Sequence, residues 1–128
     1  PDLAEEMINA GLARPGDERV KRQYLHKLAK IQTRAGRYRQ AADTWQELAL
    51  LEPLLLQPRI ELSKLYEHRL RDPISAWQAL QQAQAVCRKR SSLGVPVSGN
   101  EAADLNKRLS RLGRRVDSQT VGDKGGIV

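Results

Sequence analysis

The stretch LHKLAKIQTRAGRYRQAADTWQELALLEP, residues 25–53, decides the fold of this chain. Its apolar side chains recur at steps of three and four residues, which is the period of one face of an α-helix. Gly36 interrupts the pattern where a left-handed residue would end one helix, and Pro53 stops the next. The stretch therefore predicts two helices, one running to about residue 35 and one over about 38–51, joined by a tight turn.

Helical signals continue along the chain after this stretch. Pro58 suits the first turn of a third helix, roughly 58–70, because proline tolerates that position. Asp72-Pro73 is an N-cap followed by a proline at the first helical position, and it opens a fourth helix. β-branched residues never alternate over the length of a strand. These signals predict an all-α fold of antiparallel helical hairpins.

A last helix is predicted over about 101–116. Ser98 lies three residues before Glu101, the spacing of a capping box, and Asn100 is a competing N-cap. Its apolar residues follow one another at steps of four, three and four, which forms a single narrow stripe. They are Leu105, Leu109, Leu112 and Val116. We expect this stripe to cap the second hairpin, with self-association into a homo-oligomer through the same leucines as the alternative.

The length of 128 residues corresponds to one domain. We expect a helical domain over 1–116, with hairpins at about 18–53 and 58–88, a capping helix at about 101–116, and a flexible tail over 117–128. A short helix is also expected over 2–12. The first residue is Pro1 and not Met, which indicates a fragment of a longer protein or a processed chain.

The residues of the first hairpin resemble a tetratricopeptide repeat (TPR). That family has Leu and a small residue on its first helix, a Gly-x-Tyr turn, then Ala, an aromatic residue and a closing Pro. The matching residues here are Leu25, Leu28, Ala29, Gly36, Tyr38, Ala41, Trp45, Leu48, Leu51 and Pro53. Gln32 departs from the pattern, because it stands where a Tyr is usual. The resemblance implies a fragment of a TPR-like α-solenoid, in which small residues let two helices approach closely.

A second unit fits the same pattern if its turn, Arg69 to Pro73, carries one extra residue. Its matching core residues are Leu62, Tyr66, Ala76, Leu80 and Ala83, with Ser63 at the small position. A rival register pairs Trp45-Gln46-Glu47-Leu48 with Trp77-Gln78-Ala79-Leu80, 32 residues later. We prefer the first register because it keeps the small buried positions aligned.

The stretch LSKLYEHRLRD, residues 62–72, resembles the helical tail of bacterial RNase-H-like exonuclease proteins of the YprB type. The basic leucine helix at 105–116 also looks like the end of such a tail. The resemblance implies a role beside a nuclease domain, but none of that family's catalytic carboxylates can be carried over to this chain.

The net charge of +7 is concentrated near the C-terminus. The segment 88–116 holds eight Lys or Arg residues against Glu101 and Asp104, a balance of +6. The eight are Arg88, Lys89, Arg90, Lys107, Arg108, Arg111, Arg114 and Arg115. Four uses remain open for them: contact with nucleic-acid phosphates, cover for a sister domain of the same protein, contact with an acidic protein partner, or a solvated cap.

No pattern of catalytic or metal-binding residues is found. His26, His68 and Cys87 have no ligand spacing, and no glycine-rich phosphate loop joins a strand to a helix. Glu67 and Arg71 are expected to form a solvated pair four residues apart on a helix. We expect no enzyme activity, no metal, no cofactor and no membrane span, and the single cysteine favours a cytoplasmic protein.

These observations predict a non-catalytic protein-interaction or scaffolding module that accepts a peptide, a protein or a sister domain on stacked hairpins. The alternative is an accessory domain of an RNase-H-like nuclease that binds nucleic acid through the segment 88–116.

Overall fold

A computed structural model describes residues 18–127, with side chains up to Ser118. It confirms the all-α prediction, because the described residues form five helices and no strand. The helices are α1 (Glu18–Arg34), α2 (Tyr38–Leu51), α3 (Gln57–His68), α4 (Pro73–Ser92) and α5 (Gly99–Ile127). The helix expected over 2–12 lies outside the described residues.

Each helix packs chiefly against its neighbours in the sequence: α1 against α2, α2 against α3, α3 against α4, and α4 against α5. The connections are three to six residues long. Connections this short between packed helices produce antiparallel hairpins. The described chain is therefore a row of helices in which α1 with α2 forms a first pair, and α3 with α4 forms a second.

The helix ends follow the local signals in the sequence. Gly36 has a φ of +78°, and the N–H of Arg37 donates to the carbonyl of Gln32 at 2.9 Å, which closes α1. Asp72 accepts a hydrogen bond from the backbone N–H of Ser75 at 3.1 Å and caps α4. These positions of Gly36 and of Asp72-Pro73 confirm the predictions.

The predicted capping box at the start of α5 is also present. The N–H of Glu101 donates to Oγ of Ser98 at 3.1 Å, and the N–H of Ser98 donates to Glu101 Oε1 at 3.4 Å. The two residues thus satisfy each other's backbone donors.

Two clusters of buried side chains hold the row together. The first lies among α1, α2 and α3 and includes Leu25, Ala29, Ala41, Trp45 and Leu62. The second joins α3 and α4 to α5, and includes Leu56, Leu80, Val86, Leu105 and Leu112. Leu109 packs against the second cluster while only partly buried. The leucine stripe of α5 therefore packs onto the second pair, as predicted.

Equivalent positions of the two pairs are buried alike. Ala41 and Ala76, 35 residues apart, both have 0% of their surface exposed. Leu28 and Leu62, Ala29 and Ser63, Trp45 and Leu80, and Leu48 and Ala83 are also buried at spacings of 34 or 35. The rival register pairs the buried Trp45 with Trp77, which is only half-buried. A spacing of 34 or 35 residues thus pairs buried positions with buried positions, and a spacing of 32 does not do so for the two tryptophans.

Two helices are longer than expected. α4 continues to Ser92, past the expected end at 88. α5 continues to Ile127, past its expected end at about 116 and through the stretch 117–127 for which a flexible tail was predicted. The prediction ended α5 where its apolar stripe ends at Val116. An existing helix gains one backbone hydrogen bond for each residue added, so it can extend without a buried face.

Candidate functional site

A groove of about 510 Å³ lies between α1 and α3. α1 contributes Lys30, Thr33 and Arg34, which share one face because they are three and four residues apart. α3 contributes a longer wall, and buried side chains form the floor. The wall residues are Gln57, Glu61, Lys64 and His68, together with Arg69 at the C-terminal end of α3; the floor residues are Trp45 and Leu65.

The groove carries an excess of positive charge. Only one of the lining residues is a carboxylate, Glu61, and four are cations. The cations are Lys30, Arg34, Lys64 and Arg69. Lys64 Nζ lies 3.3 Å from Glu61 Oε1. The Arg69 guanidinium stands 5.4 Å from the centre of the Tyr38 ring, which holds it at the end of the groove.

The floor of the groove is closely packed. The rings of Trp45 and His26 meet edge to face with their centres 5.3 Å apart. Burial is the main cause that lowers the pKa of His26, and the charge of Lys30 lowers it further. The neutral imidazole therefore fits beside the indole without adding a charge beneath the groove.

A buried carboxylate stands directly beside the groove. Only 3% of the Glu67 side chain is exposed. Arg111 of α5 binds it with two hydrogen bonds, Nη1 to Oε2 and Nη2 to Oε1, the latter at 2.9 Å. Arg115 Nη1 lies 3.4 Å from Oε2, and His68 Nε2 lies 3.4 Å from Oε1. This carboxylate therefore joins the groove residue His68 to the last helix.

The hydrogen bonds between Arg111 and Glu67 favour the charged form of both side chains. The hydrogen bond from Arg111 holds the pKa of Glu67 below its ordinary value, aided by the charges of Arg111, His68 and Arg115 and opposed by burial. The same pair raises the pKa of Arg111. Both groups are thus charged at neutral pH.

The prediction of a solvated Glu67–Arg71 pair was wrong. α3 ends at His68, so Arg71 lies in the following turn, where its φ is +52°. The helical spacing of four residues therefore does not apply to this pair. Glu67 instead points to α5 and pairs with arginines 44 and 48 residues further along the chain.

The eight cations of the segment 88–116 divide into two groups. Four have partners within the chain: Arg111 and Arg115 with Glu67, Arg108 with Asp104 at 2.9 Å, and Arg90 with the carbonyl of Pro96. Arg88, Lys89, Lys107 and Arg114 are exposed and have no ion pair among the described side chains. The structure therefore does not gather the eight into one face.

The residues predicted to form the repeat core lie inside the two pairs. Ten of the twelve are buried, and Tyr38 and Tyr66 are half-buried. The sequence reasoning missed the groove cations, because they become neighbours only when α1 and α3 align. A signal was present: Lys64 follows Lys30, and His68 follows Arg34, by the same 34 residues that relate the buried positions.

The remaining candidate residues do not converge. His26 and His68 lie on different helices, and Cys87 of α4 is a half-buried thiol whose pKa is raised by burial. Among the described residues, no group of His, Cys, Asp and Glu side chains is arranged to hold a metal ion. No helix in residues 18–127 combines the length and the apolar character needed to cross a bilayer.

Comparison of the chain with known protein families, curated proteins and solved structures finds no match.

Proposed function

We propose that this chain is a non-catalytic protein-interaction module of TPR-like helical hairpins, part of a larger bacterial cytoplasmic protein, that holds a peptide or a segment of another domain. The observation that carries the proposal is the groove between α1 and α3. Its walls are polar side chains on two helices and its floor is apolar, so a bound peptide could make polar contacts with the walls and an apolar contact with the floor.

The equal burial of positions 34 or 35 residues apart supports the repeat part of this proposal. A 34-residue period is that of the TPR, in which stacked hairpins produce a continuous binding surface. The packing of each helix on its sequence neighbours agrees with such a stack.

The polar groups that line the groove are mainly cations, with Glu61 and His68 beside them. The Thr33 hydroxyl donates to the carbonyl of Ala29 at 2.8 Å, so its proton is occupied within α1. The other polar groups are mainly ammonium and guanidinium groups, which attract anions but are poor nucleophiles at neutral pH. This composition supports binding over catalysis.

Binding of nucleic acid by the segment 88–116 is the second candidate function. Arg88, Lys89, Lys107 and Arg114 are the cations of that segment without an ion pair in the described part of the chain. With about four phosphate contacts, the slope of log affinity against log salt would be roughly −3 to −4. If a labelled duplex and a labelled single strand both fail to bind the full chain at low salt, this candidate is excluded.

Self-association through the α5 leucines would require α5 to leave α4, because Leu105 and Leu112 are buried there. We therefore expect the groove, and not the leucine stripe, to meet a partner. The mass of the chain in solution, measured by light scattering over a range of concentrations, tests for a homo-oligomer.

The test of the proposed function is selection of ligands from a random-peptide display library on the full chain. Selected peptides should shift the amide resonances of Thr33, Leu65 and His68 and leave those of Arg88 and Lys107 unchanged. Peptides that bind elsewhere, or the absence of any binder, would contradict a groove-based interaction module.

A further inference from the structure

The charges of the groove stand on both of its walls. Lys30 and Arg34 are one helical turn apart on α1, which places them about 6 Å apart along the axis. Lys64 and Arg69 stand on the α3 side. A ligand that lies along the groove therefore meets cations on both sides and not at a single end.

The carboxylates in and beside the groove, Glu61 and Glu67, neutralise little of this positive charge. Glu61 is the one lining carboxylate, and it lies beside Lys64 on the same helix. Glu67, directly beside the groove, points away from it and pairs with Arg111. Lys30 and Arg34 are both exposed and have no ion pair among the described side chains.

The floor adds an apolar requirement to this charge pattern. Trp45 and Leu65 line the groove from below, between the two charged walls. Single-stranded nucleic acid binds by stacking its bases on open aromatic ring faces. The Trp45 ring is only 3% exposed and already packs against His26, and the phosphates of a nucleic acid would meet Glu61. A polypeptide can instead place an apolar side chain on the floor and carboxylates on either side.

We infer that the occupant of the groove is an acidic polypeptide segment, with Asp or Glu side chains against both walls and an apolar side chain over Trp45 and Leu65. This inference rests on the proposed function, because it names the ligand class of the same groove. The carboxylates are those of side chains within the segment, since one chain-terminal carboxylate would meet only one of the separated cations.

The experiment measures binding of a labelled, C-terminally amidated peptide, with a central leucine between aspartates, to the full chain by fluorescence anisotropy. A matched peptide carries asparagine in place of aspartate. The acidic peptide should bind about tenfold more tightly or better, and this advantage should shrink as salt is raised.

Two groove variants and one control locate the binding. Lys30→Glu combined with Arg34→Glu reverses the α1 wall, and Lys64→Ala combined with Arg69→Ala removes the charges of the α3 side. Each should weaken acidic-peptide binding by about tenfold. Arg88→Glu combined with Lys89→Glu makes the same charge change on α4, outside the groove, and should leave most of the affinity. Circular dichroism checks that each variant is folded.

The outcomes separate this inference from the proposed function. If the asparagine peptide binds equally well and shifts the groove resonances, the acidic class is wrong while the interaction module stands. If only the same peptide with a free C-terminus binds, recognition is of the chain end and the inference fails. An equal loss in the α4 control would place the binding outside the groove. If no peptide of either kind binds and display selects none, both proposals fail.

Discussion

The two helix pairs bury the same kinds of apolar residue but satisfy their buried polar groups differently. In the first pair, the buried side chain of Gln32 on α1 accepts a hydrogen bond from Thr44 of α2 at 2.6 Å. In the second pair, the buried carboxylate of Glu67 on α3 receives nothing from α4 and is bound by Arg111 of α5. The buried polar contact of the first pair is therefore made within that pair, whereas the buried carboxylate of the second requires the helix that follows.

This difference matters because a buried polar group without a partner costs more than its hydrogen bond contributes when made. The cost is larger for a charge than for an amide. Loss of α5 contacts should thus affect the second pair through Glu67 as well as through the exposed leucines. This comparison can be tested with substitutions that destabilise each helix pair in turn.

The largest expected effect comes from a large, charged side chain at the closest helix contacts. Ala41→Arg and Ala76→Arg should each destabilise the chain by about 4 kcal/mol or more, because neither site has room or a partner for a guanidinium. Chemical denaturation measures the loss. Equal losses would support the equivalence of the two pairs, and a neutral result at either site would contradict the helix contact there.

Removal of the Glu67 partner should have the next largest effect. Arg111→Gln leaves a buried carboxylate with only the weaker contacts of Arg115 and His68, and we expect a loss of about 2 kcal/mol. That figure is below the usual cost of breaking a buried pair, because 47% of the Arg111 side chain is exposed.

Arg108→Gln is the matched control, since it makes the same change one turn earlier on α5. Arg108 pairs with Asp104 of the same helix at the surface, so its loss should cost less than about 0.5 kcal/mol. Equal effects of the two substitutions in thermal or denaturant unfolding would argue against a special role for Glu67.

The same pair should make the chain sensitive to acid. The pKa of Glu67 is lowered in the folded state, so its stabilising contribution is present above the ordinary value of 4.5 and is lost as the pH falls through the folded pKa. Glu67→Gln removes this contribution at neutral pH. The stability difference between parent and variant should therefore narrow below pH 4.5, and a difference that stays constant would contradict the assignment.

The smallest expected effect concerns the polar contact within the first pair. Thr44→Val removes the hydroxyl and leaves the buried Gln32 amide with one partner fewer, at a cost of about 1 kcal/mol. Because the contact is uncharged and lies between α1 and α2, combining Thr44→Val with Arg111→Gln should give additive losses. Strong coupling between the two in a double-mutant cycle would show that the pairs are less independent than their contacts indicate.

Much of the fold follows from local signals in the sequence. The turn at Gly36, the cap at Asp72 and the box formed by Ser98 and Glu101 act within a few residues, so their consequences can be read from the sequence. The leucine stripe of α5 likewise identifies its buried face without knowledge of the face it meets.

The candidate site could not be predicted in the same way, because it depends on which helix faces meet. Glu67 and Arg111 are 44 residues apart, and nothing local to either residue indicates the other. The environment of Arg59 likewise could not be predicted from nearby residues. Arg59 stands 34 residues after the buried Leu25. Arg59 places two buried guanidinium nitrogens where no hydrogen-bond partner is found among the described residues, and burial lowers its pKa. A repeat pattern alone would predict an apolar residue there.

The ion pair between Glu67 and Arg111 also bears on the order in which the chain can fold during synthesis. Ribosomes add about 5–20 residues per second. Even at the fastest of these rates, Glu67 is made about two seconds before Arg111. Until then, the carboxylate is more stable in water than inside a finished second pair. The buried polar contact of the first pair lies between α1 and α2, so it can form once α2 has left the ribosome. Folding should therefore advance from the N-terminal pair towards α5, whose arrival allows the second pair to close.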